Sequence, residues 1–357
     1  MRKRIIALVT VFIITCMVLV FLSCLVMPKY MRGIVEGALT AEYYDDKAPH
    51  EVLFIGDCEL YENVSTVELF RQYGISSYIR GNSQQLIWQS YYLLEDTLRY
   101  ETPKVVVFNV LSLEYNEPKS ETYNRMTLDG MKWSQTKIDA INASMLPDEN
   151  FVEYVFPFLR FHSRWQELKA TDWKYVFSRD PVSINGYYLR ADIRPMESFP
   201  DPKSLTDPVF GDNAMKYLQK MTDLCKEKGI ELILVKAPIT YPYWYPEWDA
   251  QVAEYAEANG LTYINYVDKL DEIGLDMSHD TYDGGQHLNV YGAEKFADYF
   301  GQFLTENYDL TDYRNDPAVS AIWAEKETLY DSILNQQLAE LEQYGELMSY
   351  GKNAIEE

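Results

Sequence analysis

EVLFIGDCELYEN, residues 51–63, is the stretch that decides the fold of this chain. Its apolar run, residues 51–55, stops at Gly56, which predicts a buried strand that ends in a sharp turn. The turn presents Asp57, Cys58 and Glu59 in a row. Because open α/β sheets bind ligands at the carboxyl ends of their strands, we expect a functional site at this turn.

Two interpretations of Cys58 remain open from this stretch. A helix that begins at the turn favours an anion there, so the thiol could be activated as a nucleophilic thiolate. Alternatively, Cys58 is a small buried apolar residue, as most free cysteines are. The neighbouring Glu59 and Glu62 either orient a substrate or place charge at the start of the helix.

Short apolar runs alternate with amphipathic helical segments along much of the chain. They predict four further strands, at residues 75–79, 105–108, 230–235 and 261–264. This order predicts a three-layer α/β domain with a parallel five-stranded sheet, in which the first strand lies between the second and the third.

Four segments divide the chain. They are a cytoplasmic tip with a transmembrane anchor (1–27), a connector (28–50), the α/β domain (51–310) with an aromatic-rich helical insertion (112–207), and a C-terminal segment (311–357). The last segment contains a long amphipathic helix, for which we expect packing against the domain or contact with a partner or membrane. Within the insertion, His162 and Arg164 either reach the site or serve on the surface or in the core.

The composition describes a globular body. The chain has 357 residues, of which 47% are hydrophobic and 15% are aromatic. Such a composition is not that of a disordered protein. The net charge of −23 argues against nucleic acid as a partner, because the phosphate backbone attracts basic surfaces.

Residues 5–27 form an uncharged run of membrane-spanning length. At about 1.5 Å per residue, the run crosses the roughly 30 Å core of a bilayer. Arg2, Lys3 and Arg4 precede it, so we expect a single-pass protein of the cell membrane with the N-terminus in the cytoplasm and the body outside. A cleaved signal peptide and lipid attachment at Cys24 are the alternatives.

A second reactive stretch, residues 282–289, contains one of only four histidines. His287 follows a Gly-Gly turn and opens a helix, and Asp283 lies four residues before it. A histidine oriented by a carboxylate is the general base that a serine or cysteine nucleophile needs. The alternative is a helix-capping turn in which the histidine is incidental.

The order of these motifs resembles the SGNH/GDSL hydrolases, which have a flavodoxin-like fold. Residues 56–60, GDCEL, are similar to the first block with cysteine in place of serine, and Gly81-Asn82 is similar to the second. Asp283 and His287 resemble the last block. The topology, anchor and insertion look most like the extracytoplasmic branch that includes the D-alanine transfer protein of teichoic acid synthesis and the alginate O-acetyltransferases.

This resemblance implies an ester hydrolase or O-acyltransferase of the cell envelope with a Cys58–His287–Asp283 triad. Gly81, Asn82, Asn109 and Glu59 would bind the oxyanion or substrate; Asn109 stands where the family's third block is missing and could equally point elsewhere. No metal or cofactor is implied. The implied partners are an acylated envelope polysaccharide or teichoic-acid-like polymer, the membrane through residues 5–27, and a membrane-bound acyltransferase. The alternative is an inactive protein that binds a glycan or an envelope partner.

Overall fold

One parallel sheet organises the protein, which is described by a computed structural model over residues 2–28, 38–178, 181–198 and 201–348. Its strands are β1 (Val52–Gly56), β2 (Ser77–Gly81), β3 (Val105–Asn109), β4 (Glu231–Lys236) and β5 (Thr262–Asn265). All neighbouring pairs are parallel, and the order is β2-β1-β3-β4-β5. The predicted five-stranded α/β fold, with β1 between β2 and β3, is confirmed.

Helices cover both faces of the sheet. Those in the described residues are α1 (Arg2–Val26), α2 (Ala38–Glu42), α3 (Cys58–Tyr61), α4 (Thr66–Tyr73), α5 (Ile87–Thr97), α6 (Glu121–Leu128), α7 (Gln135–Ser144), α8 (Phe151–Val155), α9 (Pro157–Phe161), α10 (Ala170–Phe177), α11 (Asp212–Lys228), α12 (Pro246–Asn259), α13 (Leu270–Ile273), α14 (Val290–Asn307) and α15 (Pro317–Tyr344). Short 3₁₀ helices span Tyr43–Asp45, Val110–Glu114, His162–Gln166, Tyr266–Lys269 and Tyr313–Asn315.

The alternation of side chains along β1 produces the three layers. Val52 and Phe54 belong to the apolar core on one face of the sheet, whereas Leu53 and Ile55 belong to the core on the other. Successive side chains of a strand point to opposite faces, so a strand that is apolar at every position must be covered on both sides. This burial explains why residues 52–55 are apolar at every position.

Local signals fix both ends of α4. Ser65 caps the helix by accepting a hydrogen bond from the backbone N–H of Glu68, and Gly74 ends it with φ of +71°. The helical stretch near residues 150–168 consists of α8, α9 and a 3₁₀ turn, because Pro157 begins a new helix. A proline lacks the N–H that a continuous helix would need there.

The C-terminal helix α15 packs against the α/β domain. The indole ring of Trp323 stacks on Phe70 at 4.5 Å, and its Nε1–H donates to Ser76. The side chain of Gln337 bonds the backbone of Leu189 and Ala191 in the insertion. Of the uses that the sequence leaves open for this helix, packing on the domain is the one that the structure shows.

The first helix is the part of the chain that is long and apolar enough to cross a membrane. Its mean hydropathy is 3.1 over its most apolar 18 residues, and side chains up to Val20 are mostly exposed. Its last turns pack against the insertion through α9 and α10. Part of the predicted connector, residues 29–37, lies outside the described residues, as do residues 349–357 of the C-terminal segment.

Candidate active site

The turn after β1 places Cys58 at the carboxyl edge of the sheet. Asp57 caps α3 by accepting a hydrogen bond from the backbone N–H of Glu59 at 3.1 Å, and Cys58 is the first residue of that helix. Gly56 allows this close packing, because a Cβ there would lie 3.0 Å from the Cβ of Asn109. The side chain of Cys58 is half-buried at this turn.

The three predicted triad residues meet at this edge. Nδ1 of His287 lies 2.6 Å from Oδ2 of Asp283, and the backbone N–H of His287 donates to Oδ1 of the same carboxylate at 2.9 Å. The imidazole also faces the thiol of Cys58, since interactions with His287 lower the pKa of Cys58 and interactions with Cys58 raise that of His287. Because Asp283 holds Nδ1, the nitrogen left for the thiol is Nε2. Gly284 and Gly285, with φ of +82° and +97°, give the loop the backbone that this geometry requires.

A further carboxylate, that of Glu62, faces the same imidazole. Its Oε2 lies 3.8 Å from Nδ1 of His287, and the side chain is almost fully buried. No described residue donates a hydrogen bond to Oε2. Burial, followed by the charge of Asp283, raises the pKa of Glu62 although the charge of His287 opposes this. Glu62 therefore points into the site instead of marking an exposed helix start.

Burial and charge set the protonation of the thiol and the imidazole. Burial raises the pKa of Cys58 to about 11, against a hydrogen bond and positive charge from His287 that lower it. Burial lowers the pKa of His287, but the charge of Glu62 and the hydrogen bond to Asp283 outweigh it and hold this pKa well above its usual range. Both shifts favour the protonated forms, a neutral thiol beside an imidazolium.

Glu59 and Asn109 form a buried network beneath the Cys58 turn. Both carboxylate oxygens of Glu59 accept hydrogen bonds from Nζ of Lys236 at 2.8 Å. The amide of Asn109 donates to Asp57 and Glu59 at 3.0 Å, and its Oδ1 accepts from the backbone of Ala237. These contacts differ from the oxyanion- and substrate-binding roles that the sequence predicts for Glu59 and Asn109.

The end of β2 approaches the nucleophile turn through Gly81. A Cβ at this position would lie 3.1 Å from the carbonyl oxygen of Gly56, so the two strand ends meet in close contact. Asn82 is buried, and its amide donates to Oγ1 of Thr40 at 3.0 Å and to Gln85 at 3.4 Å. The main chain of Gly81 is thus at the site, whereas the Asn82 side chain is directed into the body of the protein.

The insertion forms one wall of the site. The guanidinium of Arg190 lies 4.4 Å from the ring centroid of Tyr282, and the Tyr282 ring stacks beside His287 at 5.9 Å. The backbone N–H of Val290 donates to the carbonyl of Arg190 at 2.7 Å. The insertion residues His162 and Arg164 lie elsewhere. His162 contacts Leu159, and Arg164 bonds the last carbonyls of α1.

An aromatic cavity of about 430 Å³ opens after β4 at the same edge. Its apolar wall is formed by Tyr241, Tyr243, Tyr245, Trp248 and Phe210, and its polar rim by Glu114, Asp201, Lys203 and Asp207. Thr240 precedes the cavity residue Tyr241 and contacts Met196 at 3.8 Å. Met196 packs against Gly285 in the loop that carries His287 (residues 281–287, the histidine loop). The cavity therefore lies at the same edge of the sheet as the loop that carries His287.

Metal-ligating side chains do not cluster in the part of the chain that the structure describes. No group of three or more His, Cys, Asp or Glu side chains there is arranged to hold a metal ion. Two carboxylates of the site have partners of their own, since Glu59 pairs with Lys236 and Asp283 pairs with His287.

Comparisons with known proteins give distant structural neighbours. No protein-family model matches the chain, and no curated protein does. A GDSL-like lipase from Bacteroides thetaiotaomicron has a TM-score of 0.37 and 14% identity, over 75% of this chain and 96% of its own. A protein named as an acylhydrolase from Bacteroides fragilis has a TM-score of 0.37 and 13% identity, over 74% of this chain and 94% of its own. Similarity at this level assigns no activity.

Proposed function

We propose that this chain is a membrane-anchored acyl esterase or O-acyltransferase of the SGNH type. In this proposal Cys58 is the nucleophile, His287 is the general base and acid, and Asp283 orients His287. The observation that supports it is the placement of His287 between the other two groups, since Asp283 bonds its Nδ1 at 2.6 Å and the imidazole lowers the pKa of the Cys58 thiol. A nucleophile, a base within hydrogen-bond reach and a third group that orients the base are the components of covalent acyl transfer.

The reaction begins when the thiol–imidazolium pair loses one proton, which leaves a thiolate beside the imidazolium. The sulfur of Cys58 attacks the carbonyl carbon of an ester or thioester, and the carbonyl π electrons move to oxygen. The oxyanion then collapses, the bond to the leaving group breaks, and His287 donates its proton to that group. Water or an acceptor hydroxyl, deprotonated by His287, finally attacks the acyl–Cys58 thioester and releases an acid or a new ester.

Backbone amides are the donors that we propose for the oxyanion. The N–H of Cys58 is the first of α3 and has no acceptor within its helix. The N–H of Gly81 belongs to the strand end that meets the nucleophile turn. Preorganised amides of this kind stabilise the charge that develops on a carbonyl oxygen. The side-chain amides of Asn82 and Asn109 bond other residues.

The acceptor that we propose is an envelope polymer, either an acylated polysaccharide or a teichoic-acid-like chain. The aromatic wall of the cavity after β4 suits stacking against a sugar ring. Its rim carries three carboxylates, of Glu114, Asp201 and Asp207, against one ammonium of Lys203. This balance favours a neutral or amine-bearing segment of the polymer over an anionic one. A membrane-bound acyltransferase would be the partner that supplies the acyl donor.

A second candidate is an inactive protein that binds a glycan or an envelope partner. One observation favours it: burial raises the pKa of Cys58 to about 11, so the thiol is not a resting thiolate. A low thiol pKa is typical of reactive cysteines. In this case the aromatic cavity would be the functional surface, and Cys58 and His287 would have no role in bond making.

An activated thioester probe separates these candidates in the purified full chain. We expect the probe to acylate Cys58, because His287 can remove the proton of the attacking thiol. His287→Ala should abolish this acylation, and Asp283→Asn should slow it. Mass spectrometry of the digested protein identifies the labelled cysteine.

Cys225 is the internal control for this labelling. Burial alone raises its pKa to about 12, and it contacts no histidine or carboxylate that the pKa responds to. If Cys58 reacts no faster than Cys225, or reacts equally well in the His287→Ala variant, the enzymatic proposal fails and the binding candidate replaces it.

We further propose that α1 anchors the chain in the cell membrane with the α/β body outside. The support is the length and apolarity of α1 and the basic residues at positions 2–4. Protease added to intact cells should then digest the body. Complete protection of the body, with digestion only after the cells are opened, would show the opposite orientation.

A further inference from the structure

An apolar surface surrounds the end of the membrane-spanning helix. Six of the fifteen exposed large hydrophobic side chains that the described residues carry outside α1 lie within the 26 residues 152–177. They are Val152, Val155, Leu159, Trp165, Trp173 and Phe177. Contiguous exposed apolar side chains in one patch mark an interaction surface. We call residues 151–177, with α8, α9, the 3₁₀ turn and α10, the collar.

The collar is bonded directly to α1. Phe21 packs against Trp173 and Phe177 at 6.2 and 6.4 Å between ring centroids. Oγ of Ser23 accepts a hydrogen bond from the backbone N–H of Phe158 at 3.2 Å. Arg164 donates to the carbonyl oxygens of Val26 and Met27, which are among the last, otherwise unsatisfied carbonyls of the helix. The apolar patch is therefore continuous with the membrane-spanning helix.

The free length of α1 determines how deep the collar must lie. Residues 5–20 extend freely, whereas the collar covers the helix from Phe21 onward. Sixteen residues at about 1.5 Å each span about 24 Å, which is about 6 Å less than the roughly 30 Å hydrocarbon core. The missing length matches the about 5–10 Å to which interfacial helices sink their apolar faces.

We propose that the collar is a membrane-embedded platform that lies in the outer leaflet around α1. Trp165, Trp173 and Phe177 then contact lipid at the interface, the depth that aromatic side chains prefer. This inference rests on the proposed anchoring of α1 and is independent of the catalytic proposal. A protein partner or a second copy of the chain is the competing occupant, and the experiment below separates it from lipid.

The collar and one wall of the candidate active site belong to the same insertion. Its residues 188–196 contact the loop that carries His287, where the backbone N–H of Arg194 donates to the carbonyl of Thr281 at 2.9 Å.

Lipid contact is tested in the full chain reconstituted in phosphatidylcholine vesicles. Phe177→Cys is compared with Val209→Cys, because the two parent side chains are similarly exposed, at 81% and 71%. With a charged, membrane-impermeant maleimide and the unsubstituted chain as background, we expect Phe177→Cys to react several-fold more slowly. If the chain floats with the vesicles but the two cysteine variants react with the maleimide at equal rates, the collar proposal is overturned and the anchor proposal stands. A chain that does not float with the vesicles overturns both.

Brominated phosphatidylcholine distinguishes lipid from a protein that covers the patch. The tryptophan fluorescence that is lost in the Trp165→Phe variant is the contribution of Trp165. The fluorescence that is lost in the Trp133→Phe variant is the contribution of Trp133, an exposed indole outside the collar. We expect brominated vesicles to quench the Trp165 contribution and to leave that of Trp133 unchanged. Slow labelling of Phe177→Cys without quenching of Trp165 means that a second copy covers the patch, and it overturns the assignment to lipid.

Discussion

Two glutamates on the short helix α3 and its end, Glu59 and Glu62, have opposite surroundings. Glu59 lies on the side that faces the sheet and forms an ion pair with Lys236, with both side chains fully buried. Glu62 lies on the side that faces the histidine loop, and Oε2 has no hydrogen-bond donor among the described residues. Glu59 is neutralised by its own cation, whereas the charge of Glu62 acts on His287 at 3.8 Å.

This difference separates two effects at the Cys58 turn. Glu59 stabilises the turn, and Glu62 influences the protonation of His287 and Cys58. Nζ of Lys236 also donates to the carbonyls of Ala237 and Ile239, so the ion pair ties the end of β4 to the nucleophile turn. Glu62 stabilises the imidazolium form of His287 and opposes formation of the Cys58 thiolate. Two glutamates three positions apart thus have different effects. Glu59 holds the turn in place, and Glu62 influences the protonation of Cys58 and His287.

The largest effect is expected from removing the cation of the supporting pair. Lys236→Ala leaves the Glu59 carboxylate buried without a counter-ion, which typically costs about 3–5 kcal/mol. We expect a loss of this size in the free energy of unfolding, measured by chemical denaturation of the full chain in detergent.

The double variant Lys236→Met with Glu59→Leu is the control for that prediction. Replacing both charges with apolar side chains avoids an unpaired buried charge, and such replacements are often close to neutral. The double variant should therefore recover most of the stability that the single variant loses. A single variant as stable as the wild type would show that the pair does not hold the turn.

A smaller effect, on the pH profile, is expected from Glu62→Gln. In the wild type the acylation rate of Cys58 should rise as the pH increases through the pKa of His287, because the imidazolium must lose a proton before the thiol can be activated. Two unit charges about 4 Å apart interact by about 1 kcal/mol even in bulk water. Removing the carboxylate lowers the pKa of His287 and of Cys58, so the rising limb should move to lower pH.

Glu59→Gln is the matched control for the pH profile. It removes the same charge from a carboxylate that Lys236 already neutralises, so it should reduce stability and leave the position of the rising limb nearly unchanged. An equal shift in both variants would mean that His287 responds to the total charge of the helix and not to Glu62.

The sequence predicts the sheet and the triad positions for physical reasons that act locally. Residues 52–55 are apolar at every position and the run stops at Gly56, a pattern typical of a strand that is covered on both faces. The Gly-Gly turn before His287 permits the tight loop that brings Asp283 to Nδ1. The strand order and the loop therefore follow from short-range patterns, whereas the catalytic roles of these residues stay a proposal.

The supporting residues cannot be predicted in the same way. Lys236 ends a strand and resembles an ordinary surface lysine, and only its partner 177 residues earlier reveals that it is buried. The amide of Asn109 could face the oxyanion or the sheet, and the choice depends on Asp57, Glu59 and Ala237 together. The collar cannot be predicted from the sequence for a related reason. Exposed tryptophans indicate an interaction surface only once the structure places them beside the end of α1.

The distance along the chain between Cys58 and its partners has a consequence for synthesis. Lys236 and His287 follow the thiol by 178 and 229 residues. At about 5–20 residues per second, roughly ten to forty-five seconds separate the emergence of the thiol from that of its histidine. His287 is absent throughout this interval, and the buried cation is absent for most of it. The nascent chain therefore carries Cys58 as an ordinary, unassisted thiol, and the reactivity that we propose for it requires the last third of the domain to have folded onto the first.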